Sequence, residues 1–219
     1  GSIERAVGQI RERAGRLDVL VNNAGKNVFG PILEVPLADV RGVFETNVMG
    51  LLAVTQAVFP IMADQRSGLI LNIGSVVGLL PTPFAGGYCA TKSAVHMLSE
   101  VIRMEVHPFG IDVVVVQPGG VKSSIADSAS RELDRYSLES SRYHRVYDGI
   151  RKRASASQDN PMLAEDFARE LVALAFVTPP PRVIRLGTGA EHLPRLAELP
   201  GEQRDAMLSA NYGLDALKS

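Results

Sequence analysis

Apolar runs alternate with longer amphipathic segments along the chain, and this alternation limits the folds open to it. Residues 18–23, 69–73 and 111–116 are mostly apolar with little alternation, which is typical of strands buried on both faces of a sheet. Apolar residues in the intervening segments recur at the period of an α-helix. Strands that alternate with helices form parallel sheets covered by helices on both faces. The sequence therefore predicts a doubly wound α/β fold.

Helical periodicity is found in four long segments and in two short ones near the C-terminus. The predicted helices span residues 3–16, 38–65, 86–106, 164–176, 192–199 and 202–209, and a last strand spans residues 182–186. Residues 38–65 are expected to form one long helix or two abutting helices. The polar stretch 126–156 is predicted to be helical in part. Gly1 and Ser2 have the composition of an expression remnant, and residues 1–219 are expected to form a single domain.

Composition argues against several classes of function. The 219 residues carry a net charge of −1 with acids and bases intermixed, which does not favour a nucleic-acid partner. The single cysteine, Cys89, permits no disulfide within the chain and is expected in the core, and the four histidines lack metal-ligand spacing. No continuous apolar run reaches the roughly 18–20 residues that a membrane span needs. These features predict a cytoplasmic protein without a metal site or a membrane span.

The loops after the strands are where a doubly wound fold binds its ligands. Tyr88 and Lys92 lie four residues apart on a predicted helix beside these loops, and hence on one face. An ammonium next to a phenol favours the phenolate, so Lys92 is expected to lower the tyrosine pKa from about 10. Ser75 follows the preceding strand, where its hydroxyl can bind the same substrate oxygen. The loops in question are residues 23–30, 75–84 and 117–127.

Each of these residues also has an ordinary structural explanation. A tyrosine and a lysine at this spacing most often form a plain helix face, and a serine after a strand is most often a turn or cap residue. The catalytic interpretation therefore depends on finding Tyr88, Lys92 and Ser75 together with further motifs, rather than on any one of them.

Five such motifs occur in order. They are Asn22-Asn23-Ala24-Gly25 after the first strand, Asn47 in the helix 38–65, Gly74-Ser75 after the second strand, Tyr88-Cys-Ala-Thr-Lys92 on the next helix, and Pro118-Gly119-Gly120-Val121 after the third strand. In this order and spacing the chain resembles the short-chain dehydrogenase/reductase family, which has a Rossmann-like fold. The resemblance runs through almost the whole chain.

The resemblance implies a role for each motif. Tyr88 would be the proton donor or acceptor for a carbonyl or alcohol oxygen, Lys92 would lower its pKa and bind the nicotinamide ribose, and Ser75 would polarise the substrate carbonyl. Ser75 and Tyr88 would both bind substrate. Asn47 would hold a water in a proton relay to Lys92, although an asparagine at a helix kink explains the same position. The residues expected along the cofactor are Asn23, Ala24, Gly25, Tyr88, Lys92, Pro118, Gly119, Val121 and Ser123.

One part of the family pattern is not found in the chain. Members begin with a strand, a glycine-rich turn and a helix that hold the pyrophosphate of NAD or NADP, whereas Gly8 and Gly15 are isolated and follow no strand. In family terms the chain is N-terminally truncated and starts within the helix before the fourth strand. The strand at 18–23 is therefore expected at the sheet edge, covered by a partner strand. We also expect the isolated chain to bind NAD or NADP weakly.

Residues 122–160 lie where the family has a mobile substrate lid. Between Arg131 and Arg153 this segment carries seven basic residues, four acids and three tyrosines. A solvated helix face would explain that composition, and a lid over a substrate with an anionic head or a long apolar tail is the functional alternative. The surroundings of Tyr88 and the C-terminal residues 185–214 resemble family members that act on lipophilic carbonyls, such as acyl-dihydroxyacetone-phosphate, retinoid or steroid substrates.

The resemblance implies an NAD(P)-dependent oxidoreductase that interconverts a carbonyl and an alcohol, with Tyr88 as the acid/base. Two alternatives stay open: a cofactor-independent isomerase, cyclase or lyase that reuses Tyr88 and Lys92, or a non-catalytic interaction subunit. A homodimer or tetramer is also implied, because the two long helices pack against a second subunit in the family. The apolar stripe of the Tyr88 helix would either form that interface or face the chain's own sheet; it comprises Val95, Leu98, Ile102 and Val106.

Overall fold

The computed structural model describes residues 1–123, 133 and 140–218. Within them one parallel sheet has the strand order β1-β2-β3-β4, where the strands are Val19–Asn22, Gly68–Ile73, Ile111–Pro118 and Val183–Leu186. The α-helices are α1 (Ser2–Ala14), α2 (Leu37–Gln65), α3 (Gly86–Val106), α4 (Tyr147–Ser155), α5 (Ala164–Ala175), α6 (His192–Ala197) and α7 (Gly201–Asn211). Short 3-10 segments occur at Val76–Gly78, His107–Phe109, His144–Val146, Ala156–Gln158 and Leu214–Leu217.

Helices cover both faces of this sheet, so the predicted doubly wound, Rossmann-like fold is confirmed. On one face, α2 and α3 pack on Ile70 of β2 and Val113 of β3, and α1 packs beside α2. On the other face, α5 packs on Leu71 and Val114. Neighbouring residues of a strand point to opposite faces, so both must be apolar when both faces are buried. That is why the strand sequences do not alternate.

The long helix α2 is continuous but not regular. Its middle turn, Glu45–Gly50, is a π-helix that joins two α-helical parts. By length and composition it is the one helix among the described residues that could cross a membrane, with a mean hydropathy of 1.5. Polar residues interrupt the apolar run of this segment, so the sequence did not predict it as a possible span. Val58 and Met62 of α2 are fully buried against β2 and α3, which is the packing of a core helix.

The apolar stripe of α3 belongs to the core. Val95, Ile102 and Val106 are buried, and Leu98 packs against the same cluster. The alternative that this stripe forms a subunit interface is therefore wrong, because the side chains already pack on the chain's own sheet. The outer face of α3 instead exposes a second set of apolar side chains, Met97, Val101 and Met104.

Strand β1 is an edge strand, as predicted. Among the described residues it pairs only with β2, and Val21 on it is 50% exposed. An apolar edge of this kind is a template for pairing with a further strand. That a partner covers it stays a prediction.

A buried polar chain fixes the carboxyl ends of β1 and β2. The Asn22 side-chain amide donates to Asn72 at 2.8 Å and to Thr55 at 3.0 Å, and the Asn72 amide donates to Ser99 of α3 at 2.8 Å. Hydrogen-bonded polar groups of this kind are costly to disturb, because removing one leaves its partner buried and unsatisfied. The chain therefore holds α2 and α3 in register with the strand ends from which the site loops start.

The C-terminal part of the predicted lid packs into the protein. Val146, Ile150 and Ala154 lie one helical turn apart and are buried in a cluster with Phe29 and Cys89, which confirms the core position of Cys89. The hydroxyl of Ser141 donates to Glu34 at 2.6 Å. This part therefore has a buried inner face and a solvated outer face, on which Arg151 and Lys152 are exposed. Its action as a lid stays a prediction. Most of its first part, residues 124–132 and 134–139, lies outside the described residues.

Candidate active site

A cavity of about 530 Å³ opens at the carboxyl ends of the strands. Its walls include residues of the three loops predicted to bind ligands, together with residues of α3, α4 and the C-terminal segment. The side chains of this wall come from distant parts of the sequence because parallel strands all end at the same edge of the sheet. The cavity is therefore the place where a ligand of this fold would bind.

Tyr88 and Lys92 both line the cavity from the first turns of α3. The Lys92 ammonium lies 5.6 Å from the centroid of the Tyr88 ring. It is 5% exposed and donates one hydrogen bond, of 2.8 Å, to the carbonyl oxygen of Ile73. An ammonium has three donors, and no second acceptor for it is found within residues 1–123 and 140–218, so two donors remain for a ligand.

Ser75 completes the same wall. It follows β2 and caps the 3-10 segment Val76–Gly78, where its Oγ accepts from the Val77 N–H and donates to the Pro118 carbonyl, both at 3.4 Å. The same hydroxyl lowers the pKa of Tyr88, so it lies next to the phenol. Ser75 is thus both a cap, as a serine after a strand usually is, and a hydroxyl placed next to the phenol.

Burial governs the pKa of both ionisable candidates. Desolvation raises the pKa of Tyr88 to about 12, and the positive charge of Arg153 and the hydrogen bond with Ser75 offset only part of this rise. Desolvation likewise lowers the pKa of Lys92 to about 8. We predicted that Lys92 brings the tyrosine pKa below its ordinary value; in this structure that pKa is raised instead, because withdrawal from water dominates and the charge that opposes it is that of Arg153. At neutral pH Tyr88 holds its proton.

Asn47 lies behind the cavity rather than on its wall. It is 2% exposed within the π-helical turn of α2, and π-turns are frequent at functional sites. Its Oδ1 accepts from the Lys26 N–H at 2.7 Å, and its Nδ2 donates to the Lys26 carbonyl at 2.8 Å and to Thr91 at 3.0 Å. The side chain thereby fastens the loop after β1 to α3. A relayed water at Asn47 stays a prediction.

Eight of the nine residues expected along the cofactor line the cavity. The exception is Ala24, which is exposed between the lining residues Asn23 and Gly25. That Ala24 lies along the cofactor stays a prediction. The residues of the opposite loop that line the cavity are Pro118, Gly119, Val121 and Ser123.

Two glycines of this wall lie close to other parts of the chain. A Cβ on Gly25 would stand 3.6 Å from Oδ1 of Asn47 and 3.9 Å from Nζ of Lys92, in the space before the ammonium. A Cβ on Gly119 would collide with the backbone of Thr188. With the free donors of Lys92, these residues fit the nicotinamide and ribose of a dinucleotide. The dinucleotide would be held by Asn23, Gly25, Lys92 and the loop that starts at Pro118.

His96 supports the site from beneath. It lies one turn after Lys92, and its Nε2 is 3.4 Å from the Ser75 N–H. Burial, and then the charges of Lys92 and Arg185, lower its pKa to about 4. The folded protein therefore keeps His96 neutral under conditions in which the unfolded chain, with a pKa of 6.5, takes up a proton.

Acid is accordingly expected to destabilise the protein through His96. As the pH falls from 6.5 to about 4, only the unfolded state binds this proton, so the free energy of unfolding decreases across that window, by an amount on the order of 2 kcal/mol. Denaturant titrations at a series of pH values should show a smaller decrease in His96→Gln, which does not titrate. His107→Gln, at an exposed histidine, is the matched control and should behave as the wild type does. Equal pH dependence in all three proteins would contradict the assignment.

Several wall residues were not singled out from the sequence. They are Arg153 of α4, Thr188 after β4, and Asn211 and Tyr212 at the end of α7. Arg153 belongs to a run of three basic residues, and nothing in composition separates it from Arg151 and Lys152, which are exposed. The sequence does indicate which face of α4 is buried, because apolar residues recur there once per helical turn, at Val146, Ile150 and Ala154.

A protein-family model matches the part of the chain that carries these site residues. The model described as short chain dehydrogenase matches residues 1–134, which carry Asn47, Ser75, Tyr88 and Lys92. The chain belongs to the short-chain dehydrogenase family. The resemblance noted in the sequence is thereby confirmed, and the protein is a member of an oxidoreductase family.

Similar proteins include short-chain dehydrogenases with different names. The chain is 40% identical over 127 residues to 3-ketodihydrosphingosine reductase of Bacteroides thetaiotaomicron, a match covering 58% of this chain and 47% of that protein. It is 30% identical over 170 residues to the probable short-chain type dehydrogenase/reductase VdlC of Helicobacter pylori, covering 76% and 60% respectively. In these comparisons the chain spans about half the length of the curated relatives it matches.

Solved structures of short-chain dehydrogenases share the fold. A short-chain dehydrogenase from Streptomyces avermitilis superposes with a TM-score of 0.74 at 25% identity, covering 99% of this chain and 77% of that chain. A gluconate 5-dehydrogenase from Burkholderia cenocepacia, solved in complex with NADP and tartrate, gives a TM-score of 0.56 at 25% identity and covers 72% of this chain and 66% of that chain. A nicotinamide cofactor is thus bound by members of this fold group.

Proposed function

We propose that this short-chain dehydrogenase interconverts a carbonyl and an alcohol with NAD or NADP, with Tyr88 as the acid/base. The observation that carries the proposal is the meeting of a phenol, an ammonium and a hydroxyl on one wall of the cavity, contributed by Tyr88, Lys92 and Ser75. We also propose that the protein acts in the cytoplasm.

The nicotinamide, when bound, supplies or accepts the hydride. The chain's own residues handle the oxygen. The Ser75 hydroxyl donates to the carbonyl oxygen, and Tyr88 gives it a proton as negative charge develops there. The phenolate left behind then lies near two cations, Lys92 and Arg153, which stabilise it. Because the pKa of the phenol is about 12, Tyr88 keeps its proton until the carbonyl oxygen becomes negatively charged. This protonation state supports reduction of a ketone as the direction of the reaction.

A partly apolar substrate would suit the cavity. Apolar side chains form much of its wall, among them Phe29, Leu80, Phe167, Leu193, Leu196 and Leu208. The relative from Bacteroides thetaiotaomicron is named 3-ketodihydrosphingosine reductase, which supports the proposal of a lipophilic carbonyl substrate. We further propose a homodimer or tetramer that uses the outer face of α3 with Met97, Val101 and Met104, because exposed apolar side chains of this kind favour association.

Oxidation of NADH and NADPH in the presence of lipophilic ketones tests the function. The full 219-residue chain should consume the reduced nicotinamide only when a ketone is present, at cofactor concentrations raised until the rate saturates. The rate should fall as the pH rises past about 8, where Lys92 loses its proton. Conversion of a ketone without any nicotinamide would instead support the cofactor-independent alternative. Absence of both reactions across the ketone panel would contradict catalysis by this chain.

A further inference from the structure

Arg153 is a buried cation in the catalytic cavity. Its side chain is 6% exposed on α4 and lines the same cavity as Tyr88 and Ser75. Its Nε is buried without a hydrogen-bond partner, and within residues 1–123 and 140–218 no carboxylate pairs with the guanidinium. A buried charge without a hydrogen-bonded counter-ion is unfavourable and is normally avoided.

The surroundings of Arg153 fix its place relative to the reacting phenol. Its guanidinium carbon lies 5.2 Å from the centroid of the Phe29 ring, a stacking contact that offsets part of the desolvation. Arg153, Tyr88 and Tyr212 line the same cavity, and the charge of Arg153 lowers the pKa of both phenols. A substrate bound to Tyr88 would therefore share this cavity with the guanidinium.

The neighbouring basic residues of α4 behave differently. Lys152 donates to the carbonyl and the side-chain oxygen of Asn211 at 3.0 and 2.6 Å, and Arg151 is exposed to water. Both cations are thus satisfied by the protein or by solvent. Of this run of three, Arg153 is the one that lines the cavity, and within residues 1–123 and 140–218 its buried Nε has no hydrogen-bond partner.

We propose that Arg153 binds an anionic group, a carboxylate or a phosphate, on the substrate whose carbonyl oxygen contacts Tyr88. A guanidinium presents its N–H donors in a planar fork that matches the two oxygens of such a group. The inference rests on the proposed function for the position of the carbonyl. With the apolar wall around Phe29, it defines the substrate class as a keto acid or a phosphorylated ketone with an apolar portion.

A pair of matched probes tests this assignment without any turnover. We would titrate the full chain, without nicotinamide, with a γ-keto acid that carries an alkyl tail and with its methyl ester, and record binding by calorimetry. The wild type should bind the acid about 30- to 100-fold more tightly than the ester, the range expected for a buried charge-assisted pair. Arg153→Met should abolish this preference, and Arg153→Lys, which keeps the charge but loses the fork, should retain part of it.

The control lies two residues away. Arg151→Met removes an exposed arginine of the same helix and should keep the wild-type preference. A wild type that does not distinguish acid from ester would overturn the proposal. So would equal weakening of both probes in Arg153→Met, since a merely structural role or an effect on Tyr88 would act on both. If Arg153→Met does not fold, the ratio in Arg153→Lys decides.

Two further measurements distinguish failure of the proposed anion site from failure of the proposed function. If Arg153→Met weakens binding of NADP⁺ and leaves the acid-to-ester ratio unchanged, the arginine serves a cofactor phosphate and the proposal is overturned. Reduction of the ester and the acid at equal rates in wild type and variant would leave the proposed function standing and refute the anion site. Arg153-dependent binding of the acid without reduction would support the anion site and count against the proposed function.

Discussion

Tyr88→Phe is expected to lower kcat for ketone reduction about a thousandfold while changing the affinity for the ketone little. The substitution removes the hydroxyl that donates the proton and keeps the ring that packs at the start of α3. In the wild type the phenol keeps its proton at neutral pH, because burial raises its pKa to about 12. Ser75, the neighbouring hydroxyl on the cavity wall, is a far weaker acid than a phenol and is not expected to replace it.

Steady-state kinetics with saturating nicotinamide would measure the effect, with calorimetry of ketone binding beside them. The matched control is Tyr143→Phe, at a tyrosine that stacks edge-on with Phe84 and does not line the cavity. It should keep nearly full activity. If Tyr88→Phe also retained activity within tenfold of wild type, the proton would have to come from another group, and the assignment of Tyr88 as the acid would be lost.

The positions of Tyr88, Lys92 and Ser75 were accessible from the sequence. Helical spacing places the first two on one face of α3, and the end of a parallel strand places the third beside them. Both rules depend only on backbone geometry, which strongly periodic segments specify well. For the same reason α3 has the predicted bounds, and β2 and β3 differ from prediction by no more than two residues.

The pKa values of the site residues could not be predicted from backbone geometry. The pKa of Tyr88 depends on how much water the cavity wall excludes, and that wall includes Arg153 and Tyr212 from distant parts of the chain. A local argument that considers Lys92 alone predicts the wrong direction. Likewise Arg153 and its exposed neighbour Arg151 are the same residue type, and only the tertiary contact of α4 with the core distinguishes them.

The close contact between α4 and the C-terminal segment is a further feature that depends on tertiary packing. Gly149 of α4 faces the backbone carbonyl of Tyr212, and a Cβ at this position would collide with that oxygen. The Lys152 ammonium, one turn later, donates to Asn211 and holds the same two segments together. Because Arg153 and Tyr212 both line the cavity, this junction also sets the shape of the substrate wall.

Gly149→Ala is accordingly expected to lower the free energy of unfolding by about 3 kcal/mol. Alanine is the better helix former by about 1 kcal/mol, so propensity alone predicts the opposite sign. The clash prevails because the obstacle is backbone, which moves only if the C-terminal segment shifts. Urea titrations would measure the change. Gly8→Ala in α1 is the control, since a Cβ there meets nothing within 4 Å and should stabilise the helix slightly. If the two variants were equally stable, the contact between α4 and the C-terminal segment would be absent in solution.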